Sequence, residues 1–362
     1  MPDMPDMPDT PAADAPALAP FKAVRTDREL EMTQVDATLR AWGGTLVVLP
    51  DGTPEDVLAR EVADADLLLM CYARIPRRVI EGATRLKAII KYGVGIDAID
   101  IDAAREHRIP VVNVPAYAEE TVAEGAFMLL MQLAKRVKPI QQAMTAQAWV
   151  WPEPRWMAHD LAGRTLGLVG LGRIGRCMAR MAQAFRMRVL AFDPALRHHA
   201  APDGVEAVAS LHELLARSDA VSIHCVLNAD TRHLIGAAEL ARMKPTAWLV
   251  NVSRGEIVDE AALLQALRDR RIAGAGLDVY GREPLAHNGH PLSELYAMDH
   301  VVLWPHLTFY THEAMQRLEA ETLERCREAL AGEPLSVLSG DPRLRAQAHG
   351  VRQIVDNLQP RP

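Results

Sequence analysis

The stretch from Thr165 to Asp193 constrains the fold of this chain more than any other. Leu166-Gly167-Leu168-Val169 is an apolar run of strand length, and Gly170-Leu171-Gly172-Arg173-Ile174-Gly175 follows without a spacer. Met178, Met181, Ala182 and Phe185 then recur at helical spacing, and a second apolar run, Val189-Leu190-Ala191-Phe192, ends on Asp193. The order is strand, glycine-rich turn, helix, strand, acid. A glycine triplet alone says little, but inside this frame it predicts a dinucleotide site. Gly170 permits the tight turn, Gly172 lets a pyrophosphate approach the backbone, and Gly175 lets helix and strand pack closely. The helix start offers N–H groups and a positive dipole end to phosphates. Asp193 would accept the ribose hydroxyls and repel a 2′-phosphate. That favours NAD over NADP, although Arg197 lies near.

This unit begins mid-chain. Strands are predicted before it at 21–25, 45–49, 66–70, 87–91 and 111–113, with helices such as 29–41 and 76–83 between them. They make a first, smaller wound unit without a glycine motif, suited to holding a substrate and closing over a cofactor. A long helix is predicted over 119–138, with Val122, Ala126, Leu129, Leu130 and Leu133 as its apolar face and Pro139 marking a kink or break. Later strands are predicted at 220–224, 248–251, 276–279 and 301–304. A helix over 260–270 has Asp259 as N-cap, and a last helix over 312–331 stops at Gly332 and Pro334. Residues 1–20 open with Met-Pro-Asp three times and read as a disordered tail. Residues 339–362 are polar and weakly patterned and read as a loose C-terminal tail.

The 362 residues, 49% of them hydrophobic, suffice for two cores. A net charge of −7 without a basic stripe argues against nucleic-acid binding. Cys71, Cys177, Cys225 and Cys326 lack C-x-x-C spacing, which fits a reducing cytosol rather than a disulfide framework. No apolar run has membrane-spanning length, and the N-terminus lacks signal-peptide features. The expectation is a cytoplasmic protein with a small-molecule substrate and neither membrane nor nucleic-acid partners.

Three residues stand at or just past predicted strand ends: Arg254 in Asn251-Val252-Ser253-Arg254-Gly255, Glu283 in Gly281-Arg282-Glu283-Pro284-Leu285, and His306 in Trp304-Pro305-His306. Loops at the carboxyl ends of parallel strands line the ligand crevice. Reduction of a 2-oxo acid needs these residue types. A guanidinium binds the carboxylate and polarises the carbonyl. An imidazole titrates near neutrality and exchanges the proton. A carboxylate beside it stabilises the protonated ring. Taken singly, each could be a surface charge or a structural histidine; on successive strand ends beside a nucleotide turn they read as one catalytic set.

With these residues in view, the chain resembles the D-isomer-specific 2-hydroxyacid dehydrogenases. Lys91-Tyr92-Gly93-Val94-Gly95-Ile96-Asp97, Asn113-Val114-Pro115, residues 167–175, 251–259 and 276–279, Glu283-Pro284-Leu285 and Pro305-His306 carry the likeness, in matching order and spacing. Asn113-Val114-Pro115-Ala116-Tyr117 and His306-Leu307-Thr308-Phe309-Tyr310 resemble, more narrowly, the branch related to the C-terminal-binding proteins. The resemblance implies an α/β fold of two wound parallel-sheet domains. A Rossmann NAD-binding domain, 117–307, would be inserted in a flavodoxin-like substrate domain, 21–116 and 308–338. It also implies a homodimer through the cofactor domains. Arg254, Glu283 and His306 would be catalytic, with His306 as acid/base. Gly170, Gly172, Arg173, Ile174, Gly175, Asp193, Cys225, Val226, Val252, Asp278 and His306 would meet the cofactor, Asp278 at the nicotinamide amide. Tyr72, Lys91, Val94, Gly95, Arg254 and Phe309 would meet the substrate, the backbone of Val94 and Gly95 at its carboxylate and Phe309 over its side chain. An apolar substituent on the substrate is therefore expected.

Two departures from the family pattern concern substrate fit rather than catalysis. His224-Cys225-Val226-Leu227-Asn228 replaces His-x-Pro-Leu-Thr, and Gly125 follows Glu124 where the family often has His. His287 and His290 lack companion ligands and read as solvated loop histidines rather than a metal pair. Trp149, Trp151 and Trp156 read as core or dimer contacts. The rival from another class is an NAD(H)-sensing interaction or co-repressor-like protein of the same fold. Formate dehydrogenases pair their histidine with Gln, which Glu283 disfavours. Phosphoglycerate dehydrogenases would need a basic cluster for a phosphate, and none is visible in the sequence.

Overall fold

The computed structural model describes residues 19–354. Nearly all of the expected N-terminal tail, and residues 355–362, lie outside the described residues. The chain divides into two compact units, residues 19–117 with 315–354, and residues 118–314.

In the first unit, β1 (Lys22–Arg25), β2 (Thr45–Val48), β3 (Leu67–Met70), β4 (Ala88–Lys91) and β5 (Val111–Asn113) form one parallel sheet in the order β2-β1-β3-β4-β5. This is the flavodoxin-like order. β3, β4 and β5 are buried along their whole length, which is why they read as unbroken apolar runs instead of alternating ones. Val79 and Ile80 from the Arg77–Gly82 helix pack with Leu68, Met70 and Ile89 in its core.

The expected loose tail is corrected here. Strand Leu335–Val337 pairs in parallel with Val351–Gln353, and the turn between them carries a short helix, Pro342–Arg345, that buries Leu344. Gln347 accepts from Val111 N–H at 2.7 Å and donates to Val111 O at 2.8 Å. Order in this segment comes from one buried leucine and from side chains bonded to backbone. Neither leaves an apolar period in the sequence.

The second unit holds β6 (Thr165–Val169), β7 (Arg188–Phe192), β8 (Val205–Ala207), β9 (Ala220–Ile223), β10 (Trp248–Asn251), β11 (Gly274–Leu277) and β12 (Val301–Leu303). They form a parallel sheet ordered β8-β7-β6-β9-β10-β11-β12. The first strand is thus central and the order reverses beside it, which is the Rossmann arrangement with its crevice at the carboxyl end. β11 begins two residues before the predicted strand. A Cβ at Gly274 would lie 2.2 Å from His300 O, and one at Gly276 would lie 3.0 Å from Leu129 Cβ. Small residues admit close packing there but look weak as a strand signal. The shift leaves Asp278 just beyond the strand end.

The predicted long helix is two helices, Glu119–Ala134 and Val137–Gln147. The break is at Arg136, in the left-handed region at φ 53°, and not at Pro139. Pro139 sits in the first turn of the second helix, where its missing N–H costs nothing. Trp149 and Trp151 are 64% and 73% exposed, so neither belongs to the core of the chain.

Candidate active site

The glycine turn follows β6. Gly170 has φ 96°, and a Cβ there would lie 2.7 Å from Cys225 N, so only glycine fits. A Cβ at Gly175 would lie 2.4 Å from Gly170 O, whereas one at Gly172 would meet nothing within 4 Å. Gly172 therefore faces open space while its neighbours are pinned. It is also the N-cap of the Arg173–Ala184 helix and brings no side-chain cap, and a helix start of this kind suits an anion. Arg173 lies 3.4 Å from Glu119, and Ile174 is partly buried beside it. Asp193 Oδ2 accepts from Leu171 N–H at 2.7 Å and Oδ1 from Ala195 N–H at 2.8 Å. The carboxylate thus braces the glycine turn itself. Open Gly172, an uncapped helix start and a carboxylate at the end of β7 fit a dinucleotide.

The loop after β9 carries His224, Cys225 and Val226. His224 Nε2 pairs with Ser222 Oγ at 2.9 Å, its Nδ1 has no partner among the described residues, and burial pulls the imidazole down to about 4. Burial pushes the Cys225 thiol up to about 12, so it is an inert neutral group. Val226 is exposed, and Val252, just past β10, is buried.

Arg254, Glu283 and His306 follow three neighbouring strands, β10, β11 and β12. Asn251 shapes the first turn, donating to Arg254 O at 2.9 Å and accepting from Ser253 N–H at 3.0 Å. The Arg254 guanidinium donates to Ser253 O at 2.8 Å. A Cβ at Gly255 would lie 2.1 Å from Gly281 N. The turn after Arg254 therefore meets the turn before Glu283 backbone to backbone. Glu283 Oε1 accepts from Tyr280 N–H at 3.0 Å, and Oε2 lies 2.8 Å from His306 Nδ1. Burial alone would raise the Glu283 carboxyl. The bond to His306 and its charge, then Tyr280 N–H and Arg254, outweigh it and hold the group below the ordinary carboxylate range.

His306 sits at φ 56°, an uncommon backbone for a residue with a side chain. Asp278 over-determines it. His306 N–H donates to Asp278 O at 2.8 Å, and the buried carboxylate accepts from Leu307 N–H (2.9 Å), Thr308 N–H (3.3 Å) and Thr308 Oγ1 (2.5 Å). A Cβ at Gly125 would lie 2.5 Å from Thr308 Cβ, so a histidine there would collide with this brace. Phe309 stands edge-on to His306 at 6.4 Å.

In the first unit, Tyr72 and Val94 are each 41% exposed. Asp27 accepts from Cys71, Tyr72 and Ala73 N–H at 2.7, 3.0 and 3.1 Å, which fixes the loop carrying Tyr72. Lys91 is buried; its Nζ donates to Cys71 O at 2.5 Å and stands 5.8 Å over the Tyr72 ring. Val94 O accepts from Asn113 at 2.6 Å, and the partly buried Gly95 follows it. Sequence reasoning missed Asp27, because its partners lie more than forty residues away.

His290 corrects the expectation of solvated loop histidines. It is 5% exposed, with both ring nitrogens bonded to backbone, and His287 stacks on Tyr296 at 4.0 Å. A lone histidine between Gly and Pro gives no signal of burial.

Residues 127–308 match the family model described as D-isomer specific 2-hydroxyacid dehydrogenase, NAD binding domain. The glyoxylate reductase of Korarchaeum cryptofilum is 41% identical over 266 residues, covering 72% of this chain and 79% of that protein. The D-3-phosphoglycerate dehydrogenase of Methanocaldococcus jannaschii is 36% identical over 289 residues, covering 79% of this chain and 54% of that one. Among solved structures, the D-lactate dehydrogenase from Aquifex aeolicus complexed with NAD and lactic acid aligns with a TM-score of 0.76 at 28% identity, covering 86% of this chain and 96% of that chain.

Proposed function

The chain belongs to the D-isomer-specific 2-hydroxyacid dehydrogenases, oxidoreductases that act on CH–OH groups with NAD, and on that premise we propose that it interconverts a small D-2-hydroxy acid and its 2-oxo acid with His306 as acid/base. The observation that carries this reading is the 2.8 Å pair between His306 Nδ1 and Glu283 Oε2. With Nδ1 held by the carboxylate, Nε2 is the nitrogen assigned to proton exchange with the substrate oxygen. Glu283, held ionised, fixes the tautomer and balances the imidazolium. Arg254 binds the substrate carboxylate and polarises the carbonyl. Val94 and Gly95 N–H groups bind the same carboxylate. NAD, when bound, supplies or takes up the hydride at C2. The glycine turn with Arg173 and Ile174, and Asp193, Cys225, Val226 and Val252, hold the dinucleotide, with Asp278 near its amide. Tyr72 and Lys91 face the substrate, and Phe309 favours an apolar substituent.

The test is NADH oxidation over a panel of 2-oxo acids running from glyoxylate to branched apolar ones, repeated with NADPH. We expect NADH to be preferred, apolar substrates to be reduced at least as well as glyoxylate, and His306→Ala to abolish turnover while sparing NADH binding. Wild-type turnover by His306→Ala would sink the acid/base assignment, and a large excess of glyoxylate reduction would sink the apolar preference. The family resemblance also supports a homodimer.

A further inference from the structure

We propose that Glu260 and His290 are positioning residues that hold Glu283 against His306. Glu283 depends on its own turn, because Oε1 is steered by Tyr280 N–H, whose strand has already ended. What fixes that turn is not on its own segment. Gly281 N–H donates to Glu260 Oε1 at 2.6 Å, and Glu260 is the first residue of the Glu260–Arg268 helix. That helix is anchored in turn, with Asp259 accepting from Ala262 N–H at 3.0 Å and Leu263 and Leu267 buried.

On the other side, His290 spans the loop. Leu292 N–H can only donate, so Nδ1, 3.1 Å away, must accept. The ring proton therefore sits on Nε2 and donates to Arg282 O at 2.9 Å. A neutral ring with both nitrogens used ties Arg282, the neighbour of Glu283, to Leu292, which is 1% exposed. Ser293 Oγ closes the same loop, lying within bonding distance of Ala286 O at 3.0 Å and His290 O at 2.8 Å.

The Tyr280–Gly281 and Arg282–Glu283 peptides are thus gripped from two places, one by a carboxylate on the Glu260–Arg268 helix and one by an imidazole from the far end of the loop. Loss of either grip lets the turn rotate and carries the Glu283 carboxylate off Nδ1. A misplacement of about 1 Å can cost on the order of a hundredfold in rate. Neither residue touches the reacting atoms in the proposed mechanism, so cofactor binding should not sense their loss.

This inference rests on the Glu283–His306 reading, and the experiment separates the two. Glu260→Ala, Glu260→Gln, His290→Leu, His290→Gln and His306→Ala are each assayed for kcat, KM and NADH Kd at a temperature where circular dichroism shows them folded. Glu260→Ala and His290→Leu should lower kcat by about tenfold to a hundredfold, with NADH Kd unchanged and KM little moved. Glu260→Gln keeps an oxygen for Gly281 N–H, and His290→Gln keeps a donor for Arg282 O, so both should recover most of the loss. Wild-type kcat in the Ala and Leu variants, or Gln variants no better than they are, overturns the positioning role while a dead His306→Ala leaves the acid/base reading standing. An active His306→Ala overturns both.

Discussion

His224 shows what burial does to a single side chain in this fold. Burial pulls its imidazole down to about 4 from the ordinary 6.5. The unfolded chain therefore takes up a proton that the folded one refuses between those two values. Stability from this group is complete above pH 6.5 and is lost as the pH falls through 4. His224→Gln should flatten that stretch of the stability curve in urea unfolding, and an unchanged slope would reject the account. The Asp278 brace is a second case at this scale. Its aspartate was legible as a cofactor contact through the family resemblance. That its carboxylate supports the left-handed His306 was not, because Leu307 and Thr308 lie some thirty positions on.

At the scale of elements, apolar period located most strands to within a residue or two but did not reveal what ties the C-terminal segment down. Glu328, fully buried on the His312–Ala331 helix, accepts from Ser336 N–H (3.0 Å), Ser336 Oγ (2.7 Å) and Arg352 (2.9 Å). A buried carboxylate that loses a cationic partner is costly, whereas an exposed ion pair is worth little. Since Glu328 keeps Ser336 and the buried Arg325, 3.2 Å away, and Arg352 is itself half exposed, Arg352→Ala should cost only about 1–2 kcal/mol. Glu294→Ala, which removes the exposed partner of Arg268, should be close to neutral. Urea midpoints measured side by side decide this. Equal effects would show that the buried network contributes nothing special. The misplaced helix break belongs to the same scale. Proline was the visible signal, but a left-handed Arg136 between two packed helices made the break.

For the whole molecule, the exposed Trp149 and Trp151 are the feature that bears on assembly. The two rings lie edge to face at 6.1 Å, and Met157 is exposed nearby in sequence. Exposed aromatic side chains of this kind suit an interface, and the proposed homodimer through the second unit would bury them. Light scattering should report a dimer, and Trp151→Arg should shift it toward monomer. A wild-type monomer at micromolar concentration would defeat the proposal. The chain alone determined the strand–turn–helix order, the wound α/β class and the candidates Arg254, Glu283 and His306, because apolar period and turn chemistry act between near neighbours. Only the tertiary structure decided that Asp27, Glu260, Asp278 and His290 are braces, that Asp193 supports the glycine turn, and that Gly125 makes room for Thr308. Those roles depend on burial and on partners brought together by folding, and neither leaves a period in the sequence.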